Sequence, residues 1–320
     1  MEGKYRGDDD CVDFTPATAV SAGQVLQLPD GRAAVAPRDI AASELGAVTA
    51  EGLVRLAKTA NIVILAGGRV YWDASANTAT FRTVNDKDFY CGVAAADSAS
   101  STTYVDVYLN ELQRNTIDAL NGPSLSVATG TAAAGGFGLP QCYGGAKALT
   151  LTATNEVQCV DILSVDRVAI ASNPILEAQV RLGTNGSGST TDFNIGFANG
   201  TSASDADAVT EHVLFHIDGG ALDLYAQSKD GTTTVAAADT TVNVTAGSAV
   251  SNRFECWIDA RDPADVKLYV DGVRVLSGST FKLDAGTGPI GALAHLEKST
   301  GTATAGPTYI DRLTIRTMDQ

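Results

Sequence analysis

The chain has 320 residues, of which 44% are hydrophobic and 18% are charged. This composition is that of a globular protein and argues against bulk disorder, and the length favours about two domains. The formal net charge of −15 argues against nucleic acid as a partner, because a phosphate backbone is bound by clustered Lys and Arg. The 32 glycines, together with abundant Ala, Ser, Thr and Val, favour many short strands over helices.

Residues 1–13 are predicted to form a charged N-terminal arm that contains Asp8, Asp9 and Asp10. Three adjacent carboxylates could hold a cation. Calcium loops need alternating ligands and a closing Glu, however, so we expect a solvated run. The arm lacks the apolar segment of a signal peptide, and no later run reaches the roughly 18 apolar residues of a membrane span. We therefore expect synthesis in a cytosol and no membrane partner.

The five cysteines are widely scattered, and no two of them form a C-x-x-C pair. They are Cys11, Cys91, Cys142, Cys159 and Cys256. This spacing argues against a zinc ribbon or a redox motif. We expect free thiols in a reducing compartment and no disulfide framework.

Residues 14–112 are predicted to form a compact β domain. Its central part, residues 39–80, holds three short strands, GAVTAEGLV, LVRLAK and RVYWD, which are separated by turns of small residues. Near its end, Val105, Val107 and Leu109 alternate with more polar residues, which is typical of a half-buried strand. About eight strands in roughly a hundred residues predict a small barrel or sandwich.

The order of these elements resembles a family of tailed-phage head decoration (cement) proteins. The segments that carry the resemblance are AVSAGQVLQL, DIAASELGAVTAEGLVRLAK, AGGRVYWDASANTAT and CGVAAADSASSTTYVDVYLN, at residues 19–28, 39–58, 66–80 and 91–110. The resemblance implies binding to the major capsid protein on the outside of a phage head, as a homotrimer. Such proteins are sometimes described as recombinase-like. This chain has no Walker A loop, and Gly144–Lys147 lacks the hydroxyl residue that would hold magnesium.

Residues 113–148 are predicted to connect two domains. The segment ELQRNTIDALNG could form a short helix, with Leu112, Ile117 and Leu120 loosely on one face. The following run, PSLSVATGTAAAGGFGLPQCYGGA, has the Gly, Ala, Ser and Thr content of a flexible linker.

Residues 149–320 are predicted to form a second β domain. Strand patterns recur about every ten residues, which indicates an antiparallel sandwich. The segment VKLYVDGVRVL predicts a hairpin that turns at Asp271-Gly272. Together with ILEAQVRLG, RFECWIDA and YIDRLTIRT, it resembles a concanavalin-A-like or laminin-G-like jelly roll. That fold hosts lectins, glycosidases and inert spacers, so the resemblance assigns no activity.

The carboxylates of this domain do not show a glycosidase pattern. Glycoside hydrolysis needs two carboxylates facing one cleft, and the E-x-D-x-x-E spacing of laminarinases is absent. The nearest cluster is Glu255, Asp259, Asp262 and Asp265, of which the last two are typical turn residues. We therefore predict that the chain is no enzyme and has no catalytic residues.

Metal sites are not predicted either. His212 and His216 would lie on one side of a strand, about 13 Å apart along it, which is too far to share a metal. The third histidine, His295, stands alone. A calcium site could use Asp205 and Asp207, with Glu211 or Asp218 adding an oxygen, but such residues are also common in turns.

A lectin would need polar loops and an aromatic platform. Residues 185–194 and 199–207 could supply polar contacts, whereas Phe193 and Phe197 are expected in the core because they alternate along a strand. We interpret the chain as an all-β head decoration protein without cofactor that stabilises the mature capsid by bridging capsomers. Its outward second domain could bind host-surface glycans. The alternatives are a carbohydrate-binding adhesin or tail-associated lectin, and an inactive or unusual glycosidase.

Overall fold

The computed structural model describes residues 11–129, 147–183, 191–218, 222–247, 252–299 and 307–318. The chain divides into two compact units, Met1–Arg114 and Asn115–Gln320. The predicted all-β class is confirmed, because the described residues form 23 strands and their helical segments are two 3₁₀ turns, Ile170–Ser172 and Ala206–Ala208. Among these residues, no helix has the length and apolar character needed to cross a bilayer.

The first sheet of unit 1 has four short antiparallel strands in the order β1-β4-β3-β2. They are β1 (Cys11–Phe14), β2 (Val25–Gln27), β3 (Ala33–Val35) and β4 (Gly46–Thr49). Small and branched side chains such as Val20, Ile40 and Val48 fill the core of this sheet. Such small side chains permit close packing in so short a sheet.

The second sheet of unit 1 closes into a small barrel. Its strands follow the order β5-β9-β8-β6-β7. They are β5 (Leu53–Ala57), β6 (Arg69–Asp73), β7 (Thr78–Thr80), β8 (Phe89–Ala94) and β9 (Tyr104–Leu109). Lys58, directly after β5, bridges Ala79 of β7, and the Thr59 amide donates to the Ala79 carbonyl at 3.0 Å. The last strand of the sheet therefore meets the first, so of the two predicted possibilities, a small barrel or a sandwich, this sheet forms the barrel.

The side chain of Asn110 joins the first sheet to the barrel. It accepts a hydrogen bond from the Ala33 amide at 2.9 Å and donates to the carbonyls of Ala33 at 2.9 Å and Ala50 at 2.6 Å. Its φ of 58° is a left-handed conformation that asparagine tolerates better than most residues.

Strands β8 and β9 approach each other closely at Gly92. The residue has a φ of 141°, and a Cβ atom there would collide with the carbonyl oxygen of Tyr108. Only glycine fits both the conformation and the space.

Unit 2 contains two antiparallel sheets. Sheet I has the order β10-β23-β14-β19-β20-β21, with β12 also paired to β23. Its strands are β10 (Thr116–Asp118), β12 (Lys147–Leu149), β14 (Pro174–Leu182), β19 (Phe254–Asp259), β20 (Lys267–Val270), β21 (Val273–Val275) and β23 (Thr308–Thr317). Sheet II has the order β11-β13-β22-β15-β16-β17-β18. Its strands are β11 (Ser124–Thr129), β13 (Gln158–Ser164), β15 (Thr191–Ala198), β16 (Glu211–Asp218), β17 (Asp223–Asp230), β18 (Thr234–Asn243) and β22 (Gly291–Lys298).

One hydrophobic core lies between the two sheets. Alternate residues of each strand enter it, such as Leu176, Ala178 and Val180 from β14. Phe193 and Phe197 of β15 are fully buried there, as the sequence predicted. The last two strands, β22 and β23, pair with the earlier strands β13 and β14 and so lie inside the two sheets. The predicted antiparallel β-sandwich is confirmed by these two sheets and the single core between them.

The predicted hairpin is present between β20 and β21. Its two turn residues, Asp271 and Gly272, have φ of 47° and 76°. Positive φ at both positions matches the twist of the flanking strands, which is why Asp-Gly is favoured there.

The short helix predicted near residue 113 is wrong. Residues Thr116–Asp118 form β10, which pairs with β23, and Asp118 then accepts from the amides of Leu120 and Asn121 in a turn. Strand pairing over a long sequence distance prevails over a weak local helical pattern.

The linker prediction also needs correction. Residues 124–129 form β11 and pair with β13, so unit 2 starts well before residue 149. Residues 130–146 lie outside the described part of the chain. At the N-terminus, Cys11–Phe14 is a strand paired with β4, so the predicted arm ends earlier than residue 13. Residues 1–10, with the three aspartates, lie outside the described residues.

Candidate functional site

The barrel of unit 1 exposes tyrosines on its outer surface. Core residues alternate along β9, so Val105 and Val107 face inward while Tyr104, Asp106 and Tyr108 face outward. On β5, Leu53 lies opposite Tyr108, and Arg55 lies opposite Asp106. Leu53, Tyr104 and Tyr108 remain 58%, 41% and 45% exposed. We call these five outward residues of β5 and β9 the tyrosine face.

Arg55 is held in place at the centre of the tyrosine face. Its Nε donates to Asp106 Oδ1 at 2.7 Å, and its Nη2 donates to Oδ2 at 2.9 Å. The guanidinium carbon also lies 3.9 Å from the centre of the Tyr104 ring. Hydrogen bonding to Asp106 raises the pKa of Arg55, and the same contact lowers the pKa of Asp106. The pair is therefore charged at all physiological pH values, with no net charge.

A shallow cleft of about 500 Å³ opens beside the tyrosine face in unit 1. It is lined by Glu51, Gly52 and residues 109–114. Glu111 in its wall already forms an ion pair with Arg114 at 2.8 Å. The titratable side chains in its lining are those of Glu51, Glu111 and Arg114, and the last two are paired with each other.

The outer surface of sheet II carries a row of polar and aromatic side chains. Asn194, His216, Tyr225 and Asp239 are direct neighbours on four adjacent strands. His216 Nδ1 lies 2.9 Å from Asn194 Oδ1, and the rings of His216 and Tyr225 meet edge to face at 6.5 Å. His216 and Tyr225 are half-buried and Asp239 is exposed. The sequence analysis missed this row because its members lie on different strands.

A second histidine of sheet II is enclosed by carboxylates. His295 on β22 is fully buried; its Nδ1 contacts Asp161 Oδ1 on the neighbouring strand β13, and its Nε2 contacts Glu297 Oε2. Burial alone lowers the pKa of His295, but the hydrogen bonds to the two carboxylates outweigh it and raise the pKa to about 9. The ring is therefore an imidazolium at neutral pH.

The carboxylate cluster also fixes a loop. The Ala206 amide donates to Glu297 Oε2 at 3.1 Å. Ala206 and Val209 of this loop pack against Leu163, Leu214 and Leu293 on the outer surface of sheet II. Asp161 and His295 are 134 residues apart, so no local sequence pattern could have indicated their contact.

Of the carboxylates considered for a calcium site, those that the structure describes already accept hydrogen bonds from protein donors. Asp205 Oδ1 accepts from the Asp207 amide at 2.7 Å, and Asp207 accepts from the side chain of Gln227. Glu211 is buried and accepts from the amides of Thr287 and Gly288 at 3.0 and 3.1 Å. The side chain of Asp218 lies outside what the structure describes. Among the described residues, no three His, Cys, Asp or Glu side chains are arranged to hold a metal.

His212 lies on the same strand as His216, and its ring packs beneath the loop that contains Ala206 and Val209. Its ring is buried, and its Nδ1 lies 3.0 Å from the Val209 carbonyl. Burial lowers the pKa of His212. The ring is therefore neutral at physiological pH and contributes to loop packing.

The four carboxylates considered for glycoside hydrolysis have structural contacts. Glu255 is buried on the outer side of sheet I, where it accepts from Trp257 Nε1 at 2.8 Å and pairs with Arg312. Asp259 pairs with Arg261 at 2.7 Å. Asp262 accepts from the Ala264 amide and forms the predicted turn with Asp265. The structure does not bring these residues together in one cleft.

The buried charges of sheet I form a wider network. Besides Glu255 and Arg312, Glu177 pairs with Arg316, and Asp311 accepts from Arg181 at 2.6 Å and from Arg253 at 3.0 Å. Each carboxylate here has a guanidinium partner, which is the condition under which charges are tolerated inside a protein. The network is structural in character.

Comparison with protein families gives a match in the N-terminal third of the chain. Residues 6–109 match the family model of the phage cement protein, as the resemblance predicted. No curated protein is significantly similar to the chain.

Solved structures with a similar fold cover part of the chain. A protein of unknown function from Shewanella oneidensis is 12% identical, with a TM-score of 0.42, and the match covers 63% of this chain and 84% of that one. The potassium-bound carbohydrate recognition domain of Emp46p is 12% identical, with a TM-score of 0.38 and coverages of 60% and 88%. The carbohydrate-binding module CBM66 from Bacillus subtilis is 12% identical, with a TM-score of 0.33 and coverages of 52% and 95%. Similarity at this level shows neither a ligand nor an activity for this chain.

Proposed function

We propose that this protein decorates the outside of a phage head, where unit 1 attaches to the major capsid protein. The observation that carries the proposal is that the cement family match, residues 6–109, falls entirely within unit 1, Met1–Arg114. The part of the chain that the family shares is thus a folded unit of its own. Unit 2 is an addition that the family model does not cover.

The proposed mechanism is thermodynamic linkage, in which a protein that binds one state of the shell stabilises that state. A protein that binds the mature shell, and not its dissociated subunits, stabilises the shell by about 2.7 kcal/mol per site at a concentration 100 times Kd. Contacts that bridge neighbouring capsomers would resist their separation. A homotrimer would repeat each weak contact three times and add avidity. No bond is made or broken, and the protein would reach the shell from the host cytoplasm in which it is made.

The test is the thermal disruption of capsids that were assembled without this protein. Full-length protein is added back, and disruption is followed by light scattering and by release of packaged DNA. We expect saturable binding and a disruption temperature that rises with occupancy. Bovine serum albumin at equal concentration serves as the control. Absence of binding, or binding without a rise in disruption temperature, would contradict a cementing role.

A second activity is favoured by the row on sheet II. Tyr225 and His216 offer half-buried rings, and Asp239 beside Tyr225 is exposed, whereas Asn194 is buried and holds the His216 ring from below. Aromatic faces beside a carboxylate suit sugar rings, which present C–H groups on one side and hydroxyls at the edge. We propose that unit 2 binds glycans weakly at this row.

Glycan binding is tested with a glycan array and the variant Tyr225→Ala. The matched control is Tyr309→Ala, which removes a half-buried tyrosine from sheet I of the same unit. We expect binding to be lost in the first variant and kept in the second. Equal binding by both variants, or no binding by the unmodified protein, would exclude the row as a glycan site.

A further inference from the structure

We propose that the tyrosine face of the barrel, formed by Leu53, Arg55, Tyr104, Asp106 and Tyr108, is the surface that docks on the capsid shell. The inference rests on the proposed function and assigns it to one surface of unit 1. The occupant is the protein lattice of the shell.

The position of the face within the chain supports this assignment. All five residues lie inside the segment that matches the cement family, so they belong to the part of the chain on which the shared function depends. Six large hydrophobic side chains of unit 1 are strongly exposed among the described residues, namely Leu45, Leu53, Val84, Tyr104, Tyr108 and Leu112. Three of these six lie together on the paired strands β5 and β9. Adjacent exposed apolar side chains are typical of an interaction site, whereas scattered ones are not.

The chemistry of the face is that of a protein interface. Tyr and Arg are enriched at the energetic centres of interfaces, where both bury a large area and can also form hydrogen bonds. The Arg55 side chain is already fixed by Asp106 and by the Tyr104 ring, so docking need not order it. Among the described residues, none forms a hydrogen bond with the hydroxyl of Tyr104 or Tyr108. These hydroxyls are available to backbone or side-chain groups of a partner.

The extent of the face distinguishes a lattice from a second copy of this chain. Five side chains at these exposures offer on the order of 500 Å², whereas a stable soluble pair buries about 800 Å² on each partner. A contact of this extent is weak when it is made once. On a shell it is repeated by every copy of a bridging oligomer, and the repetition raises the effective affinity. The face is therefore better matched to a repeating surface than to a partner in solution.

The decisive experiment compares two variants in full-length protein. The test variant is Leu53→Ser combined with Tyr108→Ala, which removes the apolar pair across β5 and β9. The control is Leu45→Ser, which removes a leucine of similar exposure, 65%, directly before β4 and away from β5 and β9. Binding to undecorated capsids is measured by co-sedimentation, and the oligomeric state of the free protein by analytical ultracentrifugation. We expect at least a tenfold loss of capsid affinity in the test variant and none in the control.

Each outcome has a distinct meaning. If the unmodified protein does not bind capsids, the proposed function fails and this inference fails with it. If the unmodified protein and the test variant bind equally, the function stands and the assignment of the face is wrong. If the test variant changes its oligomeric state in solution, the face joins copies of this chain, which also overturns the assignment. Circular dichroism shows whether the variants are folded, and Tyr104→Ala provides a second test should the double variant unfold.

Discussion

The enclosed imidazolium of His295 makes unit 2 less stable at alkaline pH. The folded state holds a proton on this ring up to about pH 9, whereas the unfolded chain loses it near the ordinary pKa of 6.5. The folded state therefore binds more protons between these values, and stability falls as the pH rises. The contribution is fully present below pH 6.5 and is lost as the pH rises through 9. The difference between a pKa of about 9 in the folded state and 6.5 in the unfolded chain corresponds to about 3 kcal/mol of folding free energy.

The assay is urea unfolding between pH 6 and 9.5, followed by the fluorescence of Trp257. A Trp72→Phe background removes the second of the two tryptophans, which lies in unit 1, so the signal reports unit 2 alone. The reference is a neutral variant in which Asp161→Asn, His295→Gln and Glu297→Gln remove the whole cluster. Other titrating groups are shared by both proteins and cancel in the difference.

We expect the unmodified protein to lose about 3 kcal/mol relative to the reference across this pH range. Parallel stability curves would refute the charged state assigned to His295. If the reference does not fold, the ring proton signals of His295 can be followed directly, because the chain has three histidines in all. A titration midpoint near 6.5 in that spectrum would be an equally clear refutation.

Three further predictions concern packing and reactivity. Asn110→Ala should destabilise unit 1 by about 2–4 kcal/mol, because it leaves three backbone groups of Ala33 and Ala50 unpaired. Chemical unfolding measures this loss of stability, and a loss under about 1 kcal/mol would contradict the role of Asn110 in joining the first sheet to the barrel. Gly92→Ala should prevent native folding of the barrel, because the added methyl group has no space; circular dichroism would show lost strand signal, and a native spectrum would be contrary evidence. In native protein at pH 8, iodoacetamide should modify exposed Cys11 and spare Cys91 and Cys256, whose pKa values are raised by burial, to about 12 for Cys91; peptide mapping decides.

The sequence predicted the parts of the fold that depend on local signals. The Asp271-Gly272 turn was evident because two residues of positive φ between alternating strands have few other solutions. Phe193 and Phe197 were placed in the core by their spacing alone. Strand β10 was missed because it has no such local signal. Thr116–Asp118 becomes a strand only by pairing with β23, about two hundred residues later.

The candidate sites depend on register between strands, which a single sequence does not show. The tyrosine face exists because Leu53 pairs with Tyr108 and Arg55 with Asp106, and none of these four residues signals the pairing locally. The alternation in β9 predicted which side chains would point outward, but not what would stand beside them. The contact of His295 with Asp161 is likewise visible only once β13 and β22 are aligned.

Closure of the barrel at Lys58 and Ala79 affects how closely spaced copies of the protein can contact one another. A protein that covers a shell stands among many identical neighbours at very high local concentration, and open strands there would invite polymerisation from one copy to the next. In this barrel the hydrogen-bonding groups at that seam are already used, with the Thr59 and Thr78 hydroxyls in contact at 2.8 Å. On a shell decorated as proposed, neighbouring barrels would therefore meet at this seam through side chains alone, and their association would stay reversible.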